Sequence, residues 1–317
     1  MGTTAEDLNE AVMLRRELLA SGFTDAQIRA QVRRGNWTRI RHGTYVDRPF
    51  WESLSREAQH RLLIRAVLKR AHPSTVATNV SAAVERGAPV WGISLENVHV
   101  ARLDGRTSRN EAGVIHHSGR MTEADVEIVN GIAVTRAARC ALEVTTDAGV
   151  EPALVTVNGL LNAGALTVEQ FADEVAACKY WPDSLTSTLV LRLCDARMQS
   201  AGESRAWHLF WAQHLPKPTP QLPIFDEHGE LVGYVDFAWE EAGVFLEFDG
   251  RIKYEKYRLE GESLEEFLMR EKRREELICA LTGWVCIRIQ WADLARPERI
   301  ATRIRRLLDA RRRPIGA

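Results

Sequence analysis

The stretch LVGYVDFAW (231–239), EEAG (240–243) and VFLEFDGRIK (244–253) sets the architecture expected of the C-terminal third. Each arm is rich in β-branched and aromatic residues and a glycine lies in the link, a pattern that predicts two strands joined by a tight connection. In an extended strand Val244, Leu246 and Phe248 project to one face and Phe245, Glu247 and Asp249 to the other. Apolar side chains therefore occupy both faces, and the strand is expected to be central and covered. Burying an ionised carboxylate is costly unless it is paired, hydrogen-bonded or bound to a metal. Glu247, and Asp236 on the facing arm, thus require a partner.

The flanking segments predict what surrounds that stretch. Pro182 should stop a helix, which sets a boundary near 182/183, and Ser184 to Met198 reads as the next helix. In GESRAWHLFWAQHL (202–215) Trp207, Phe210, Trp211 and His214 share a helical face, and Glu203 lies one turn before Trp207 on that face, aimed at the core. QLPIFD (221–226), a turn at His228-Gly229, the opening stretch, a helix from Ser263 to Leu281, the strand WVCIRIQW (284–291) and a basic helix 297–311 follow. The order is α-β-β-β-α-β.

VDFAW…VFLEFDG followed by RREELICALTGWVCIRIQW, with acids on the first helix, the second strand and the third, resembles the PD-(D/E)XK nuclease superfamily, in its very-short-patch-repair branch, over Ala201 to Leu308. The resemblance implies a nuclease-like domain over 183–317 and a Mg²⁺- or Mn²⁺-dependent endonuclease, with Glu203, Asp236 and Glu247 as metal ligands and catalytic residues. Converging carboxylates suit that chemistry, because they hold a hard cation against the scissile phosphate. The family's lysine follows the glutamate by two residues, where this chain has Asp249, a further ligand candidate. The catalytic cation must then come from Lys253, or alternatively from Lys272 or Arg273. The plain alternative is neutralisation of Glu247 and Asp249 by Arg205, Arg270 or Arg288.

At the other end, Ala11 to Ala20 reads as a helix ended by Ser21-Gly22. Thr24 with Gln27 forms a capping box that opens a second helix closing at Gly35. Trp37 to Ile40 and Thr44 to Val46 read as two strands across Arg41-His42-Gly43. This is a winged helix-turn-helix layout over residues 1–50, with Arg29, Arg33 and Arg34 on the second helix and Arg39 and Arg41 on the wing suited to phosphates. A merely solvated basic face is the alternative.

Residues 51–182 read as a small α/β region. It comprises a helix capped by Ser53 or Ser55 through Arg70, a short helix 80–86, and strands in ENVHVAR, GVIHH and VEIV-NG-IAV. Asn130-Gly131 is a strong hairpin signal. Helices 136–147, 152–162 and 168–178 follow, the last capped by Thr167 with Gln170. His116 and His117 are adjacent on a strand, point to opposite faces and are expected to be structural. SGFTDAQIRAQVRRGNWTRIRHGTYV, TNVSAAVERG and VIHHSGRMTEADVEIVNGIAVTRAARCALEV resemble the AbiEi antitoxins of type IV toxin–antitoxin systems over residues 8 to 175. That resemblance implies a DNA binder that opposes a toxin or other defence protein.

Composition bounds these expectations. The 317 residues suffice for two or three domains, and 45% hydrophobic with 27% charged residues is an ordinary globular mix. The net charge of −1 excludes a general polycation, so nucleic-acid contacts must be local: Met1 to Arg70 holds 13 Lys+Arg against 8 Asp+Glu, and Arg303 to Arg313 six Arg against one acid. Five cysteines without CxxC or Cys/His spacing argue against a zinc knot or disulfide framework, and no run is long enough for a membrane span. A cytoplasmic, metal-dependent DNA endonuclease in phage defence or DNA repair is the expected whole. Its rival is a non-catalytic antitoxin or transcriptional regulator with a degenerate nuclease-like domain.

Overall fold

A computed structural model of the chain describes residues 4–106, 111–181, 183–250 and 261–311. It is an α/β structure of two compact units, Met1–Arg192 and Leu193–Ala317. The division falls later than the 182/183 boundary expected from Pro182. The helix Ser184–Leu193 belongs almost wholly to the first unit, where the Ser187 hydroxyl lies 2.7 Å from that of Thr145 and Val190 is fully buried. Among the described residues no helix is long and apolar enough to cross a membrane.

The first unit begins with α1 (Ala5–Ala11), β1 (Met13–Leu14), α2 (Arg15–Ala20), α3 (Asp25–Arg34), β2 (Trp37–Arg41) and β3 (Thr44–Asp47). The helix expected over 11–20 is interrupted, because Met13 pairs with Tyr45 and Leu14 with Thr44 to complete a sheet of order β1-β3-β2. Burial of Val12 and Leu14 against Leu8, Val46 and Leu62 outweighs their part in a helical pattern. The expected capping box is present: Gln27 N–H donates to Thr24 Oγ1 at 3.2 Å and Thr24 N–H to Gln27 Oε1 at 2.7 Å. Gly35, at φ 81°, ends α3.

α4 (Arg48–Ser53) and α5 (Arg56–Leu68) lead into a five-stranded mixed sheet of order β6-β5-β4-β8-β7. Its strands are β4 (Thr75–Ala77), β5 (Val98–Arg102), β6 (Val114–His117), β7 (Val126–Val129) and β8 (Ile132–Thr135), and α6 (Asn79–Glu85), α7 (Ala137–Asp147), α8 (Val150–Asn162), α9 (Val168–Ala177) and α10 (Ser184–Leu193) complete the unit. The central strand β4 has three residues, too few to show an alternation in the sequence. Asn130 and Gly131 both take positive φ, 51° and 79°, as a type I′ hairpin requires.

α5 also carries His60, which is buried. Its Nδ1–H donates to Leu95 O at 2.9 Å, its Nε2 accepts the Ser81 hydroxyl at 2.9 Å, and Ser81 Oγ accepts the His99 N–H. Burial lowers the His60 pKa from its ordinary value near 6.5, against the opposing pull of the Leu95 carbonyl and Glu85. The unfolded chain therefore takes up this proton as pH falls below 6.5 while the folded chain resists it. The His60 contribution to stability is present above that pH and drains away below it. Urea unfolding at about pH 7.5 and about pH 5.5 should show wild type losing stability on acidification, and His60→Gln losing less. Equal losses would show that His60 is not a source of the acid sensitivity.

The second unit contains α11 (Ala201–Ala212), β9 (Thr219–Phe225), β10 (Leu231–Trp239), β11 (Val244–Asp249), α12 (Leu264–Thr282), β12 (Val285–Gln290), α13 (Trp291–Leu294) and α14 (Pro297–Arg311). The sheet order is β12-β11-β10-β9, antiparallel except for the parallel pair β11 and β12. Both faces of β11 are covered, as the run VFLEF predicts. On one side Trp207 and Phe210 of α11 pack on Phe237 and Trp239, and on the other Ile278 of α12 meets Ala238 and Phe245. Each buried Phe or Ile side chain among these contributes about 1.5–3 kcal/mol of transfer free energy. Gly202 permits the close approach of α11, since a Cβ there would lie 1.9 Å from Phe248 Cε1. The expected apolar face of α11 is shorter than its sequence pattern: Trp211 is 44% exposed, and His214 lies beyond the helix at φ 53°.

Candidate functional site

The antiparallel ladder between β10 and β11 runs through Trp239–Val244, Ala238–Phe245 and Phe237–Leu246. Just past the end of that ladder lie Asp236 of β10 and Glu247 of β11, only 6% and 4% exposed, and both act on the charge of Arg274 of α12. Here the Asp236 carboxylate takes over a backbone partner: its Oδ2 accepts the Phe248 N–H at 2.7 Å. Two buried acids therefore lie on adjacent strands at that end of the ladder.

Glu203 is also buried, but its oxygens serve its surroundings. Oε1 accepts the Ser200 hydroxyl at 2.7 Å, and Oε2 accepts the Gln199 N–H at 2.9 Å and the Gln221 amide at 3.1 Å. Gln221 Nε2 also lies 3.5 Å from Asp236 Oδ1, so this side chain bridges the two acids. Gln221 takes φ 50°, a left-handed conformation uncommon for a residue with a side chain. Its sequence context, in the middle of a strand, gives no sign of this role.

The cations differ from those the sequence suggests. On α12, Phe267, Glu271, Arg274 and Ile278 follow the helical period and form the inward face. Arg274 Nη2 donates to Glu247 Oε1 at 3.1 Å and to Glu271 Oε2 at 3.3 Å, while its Nη1 donates to Tyr234 O at 2.9 Å. Burial works to lower the Arg274 pKa, but Glu247, Glu271 and Asp236 outweigh it and hold the guanidinium above its ordinary value. Lys272 pairs with Glu276 at 3.9 Å and Arg273 is exposed, because both lie off the inward face. Lys253 lies outside the described residues.

Asp249 is held by Arg288 of β12, the residue diagonal to it on the neighbouring strand. Arg288 Nη1 donates to both Asp249 oxygens at 2.8 and 2.9 Å, and Nε donates to Glu275 at 2.5 Å. Burial opposes the Arg288 charge, and the bonds and charges of Asp249 and Glu275 prevail, so its pKa is raised. Of the neutralising arginines expected from sequence, Arg288 does pair with Asp249. Arg270 instead pairs with Glu262 at 2.9 Å, and the Arg205 guanidinium lies 5.6 Å from the Trp291 ring centroid.

In the first unit Arg29, Arg33, Arg34 and Arg39 lie on α3 and β2, and all four are exposed. Arg41 is turned inward, its side chain 10% exposed, donating to Glu111 at 2.7 Å and to Gly113 O at 3.2 Å. The register irregularity between Arg39 and Arg41 separates their environments.

Among the described residues, His99, His117 and Asp147 of the first unit bring one ligand atom each within 4.8 Å of one another, whereas Glu203, Asp236 and Glu247 stand further apart. Burial, then the charges of His117 and His60, push His99 down to about 4, so its imidazole is neutral near neutral pH.

No family model matches the chain. Two proteins of Mycobacterium tuberculosis, one from strain CDC 1551 / Oshkosh and one from strain ATCC 25618 / H37Rv, each described as an uncharacterized protein, are similar to it. Both are 27% identical over 293 residues, covering 92% of this chain and 99% of the relative. A match of that span takes in residues of both units.

Proposed function

We propose that the chain is a DNA-binding, divalent-metal-dependent phosphodiesterase, with a winged helix-turn-helix at its N-terminus and a PD-(D/E)XK-type nuclease domain in its second unit. The observation that carries this reading is the burial of two carboxylates, Asp236 and Glu247, on adjacent strands just past the end of the β10–β11 ladder. The α-β-β-β-α-β order with a parallel β11–β12 pair supports the domain assignment, and the α2-turn-α3-hairpin order supports the N-terminal one.

The donor set suits a hard cation. Mg²⁺ is commonly held by one or two carboxylates, with water and substrate phosphate completing its shell, so Asp236 and Glu247 suffice as ligands. Glu203 is better placed to position Gln221 than to ligate. A bound Mg²⁺ or Mn²⁺ supplies Lewis-acid polarisation of the phosphate and a more acidic water. Arg274, beside Glu247, supplies fixed positive charge for the developing phosphorane, the part that the sequence suggests for Lys253, Lys272 or Arg273. Gln221 and the Phe248 N–H orient Asp236.

The test is nicking of supercoiled, linear and single-stranded DNA with Mg²⁺ or Mn²⁺ against a chelated control. Divalent-dependent cleavage is expected; none on any DNA form would overturn the enzymatic reading. A second reading, a DNA-binding regulator with a non-cutting nuclease-like domain, is favoured by one observation: Arg274 pairs with Glu247 and Arg288 with Asp249, the pattern of a structural ion-pair network. The setting we propose, phage defence or DNA repair in the cytoplasm with a toxin or other defence protein as partner, rests on fold-level analogy.

DNA binding has its own test. Arg33→Ala with Arg34→Ala should weaken binding across sequences and reduce the slope of log K against log salt by about 0.9 for each phosphate no longer neutralised. An unchanged slope would assign both arginines to bulk solvent. Arg41→Ala should leave the slope as it is, since its guanidinium is held by Glu111 and Gly113.

A further inference from the structure

β5 and β6 run parallel with His99 opposite Ile115 and Ala101 opposite His117. His99 and His117 are thus diagonal neighbours on one face of the sheet. His99 Nδ1 lies 2.9 Å from His117 Nε2, with the rings stacked at a centroid distance of 5.0 Å. Asp147, the last residue of α7, places Oδ2 at 3.9 Å from each of those nitrogens. A carboxylate oxygen equidistant from two converging imidazole nitrogens outlines a point that all three can reach.

We infer that His99, His117 and Asp147 form a binding site for a divalent transition metal of the Zn²⁺ class, distinct from the Asp236–Glu247 pair and independent of the nuclease reading. Tetrahedral ligation at about 2.0–2.1 Å per bond places donor atoms roughly 3.3 Å apart. The nitrogens must open and the carboxylate must approach by about half an ångström each, a small adjustment for a half-exposed Asp147 side chain. Two imidazoles with one carboxylate select Zn²⁺, Co²⁺ or Ni²⁺ over Mg²⁺ or Ca²⁺, which prefer oxygen throughout.

The surroundings support the assignment. Asn79 Nδ2 donates to Asp147 Oδ2 at 2.6 Å and to Glu143 O at 3.2 Å, which aims the carboxylate. Asn79 is buried and sits at φ 52°, so a strained backbone position is kept where it presents this donor. Ligand-orienting partners of this kind are the usual companions of metal sites. His117 and Asp147 also line a cavity of about 200 Å³ with Gly119, Met121, Arg139 and Trp181. Three protein ligands leave the fourth position to water or a small anion on that side, the arrangement of open rather than purely structural sites.

The experiment is a Co²⁺ titration of the full chain followed by visible absorption, with Zn²⁺ as competitor. We expect one equivalent of Co²⁺ with d–d bands that Zn²⁺ abolishes. The signal should be lost in His99→Gln/His117→Gln, weakened roughly 10–100-fold in Asn79→Ala, and retained in Asp236→Asn/Glu247→Gln. Imidazole ¹⁵N shifts of His99 and His117 on adding Zn²⁺ to the unsubstituted chain give a readout that needs no variant to fold. Absence of stoichiometric Co²⁺ binding, a signal that survives the double histidine substitution in folded protein, or ¹⁵N shifts that do not move would each overturn the site.

Discussion

Asp236→Asn should lower divalent-dependent DNA cleavage by roughly 10²–10³-fold or more, the scale of losing one preorganised charge at a reacting centre, and Glu247→Gln should do the same. Both substitutions are nearly isosteric and preserve local bonds. An asparagine oxygen still accepts the Phe248 N–H, and a glutamine oxygen still accepts from Arg274. Loss of activity in a protein that melts like wild type would therefore report the charge and not the fold. Asp249→Asn is the internal comparison. Its carboxylate is committed to Arg288, so we expect a loss of less than about tenfold, below the roughly 10–100-fold typical of partners that orient metal ligands. Nicking rates under matched Mg²⁺ decide the matter; an Asp236→Asn protein that cuts like wild type would remove Asp236 from the chemistry.

The second large effect concerns the first unit. Arg65 and Glu85 are almost wholly buried and joined by two parallel bonds of 2.9 Å. The remaining Arg65 donors reach Asn9 Oδ1 at 2.7 Å, Arg61 O at 3.2 Å and Asn130 O at 3.3 Å, and the Asn130 amide donates back to Glu85. This pair ties α5 and α6 to the β7–β8 hairpin. Arg65→Met leaves a buried carboxylate without its cation, and we expect a loss of about 3–5 kcal/mol. Arg65→Met with Glu85→Leu should cost clearly less than the two single changes added, because the double replacement leaves no orphaned charge. Urea unfolding of the three variants measures the cycle. A loss below about 1 kcal/mol for Arg65→Met would class the pair with exposed ones.

Much of this architecture is legible in the sequence where local chemistry is strong. The capping boxes at Thr24 and Thr167, the Asn130-Gly131 turn and the helix 297–311 are all present, since each is specified by residues within one or two turns. The doubly apolar pattern of VFLEFD correctly marks a covered strand with one buried acid, Glu247, while Asp249 at its end is only partly covered. What stays hidden in the sequence depends on distant partners. Met13-Leu14 becomes a strand because Thr44 and Tyr45 offer it an edge, and β4 is too short to carry a period. Family resemblance points to Lys272 and Arg273, whereas counting from Phe267 and Ile278 places Arg274 on the inward face and both of those residues off it. His117 has His116 as its neighbour in sequence, while its partner in space is His99 on the adjacent strand, which only the pairing of β5 with β6 reveals.

In the proposed nuclease, Asp236 and Glu247 are buried to hold a divalent cation and not merely to face arginines. Mn²⁺ binding to the full chain, followed by the loss of the free-ion electron paramagnetic resonance signal, distinguishes the two. We expect Mn²⁺ uptake that Mg²⁺ competes away, that disappears in Asp236→Asn/Glu247→Gln, and that survives His99→Gln/His117→Gln. No Mn²⁺ uptake, or uptake unchanged by the double acid substitution, would contradict a metal-holding role for the pair.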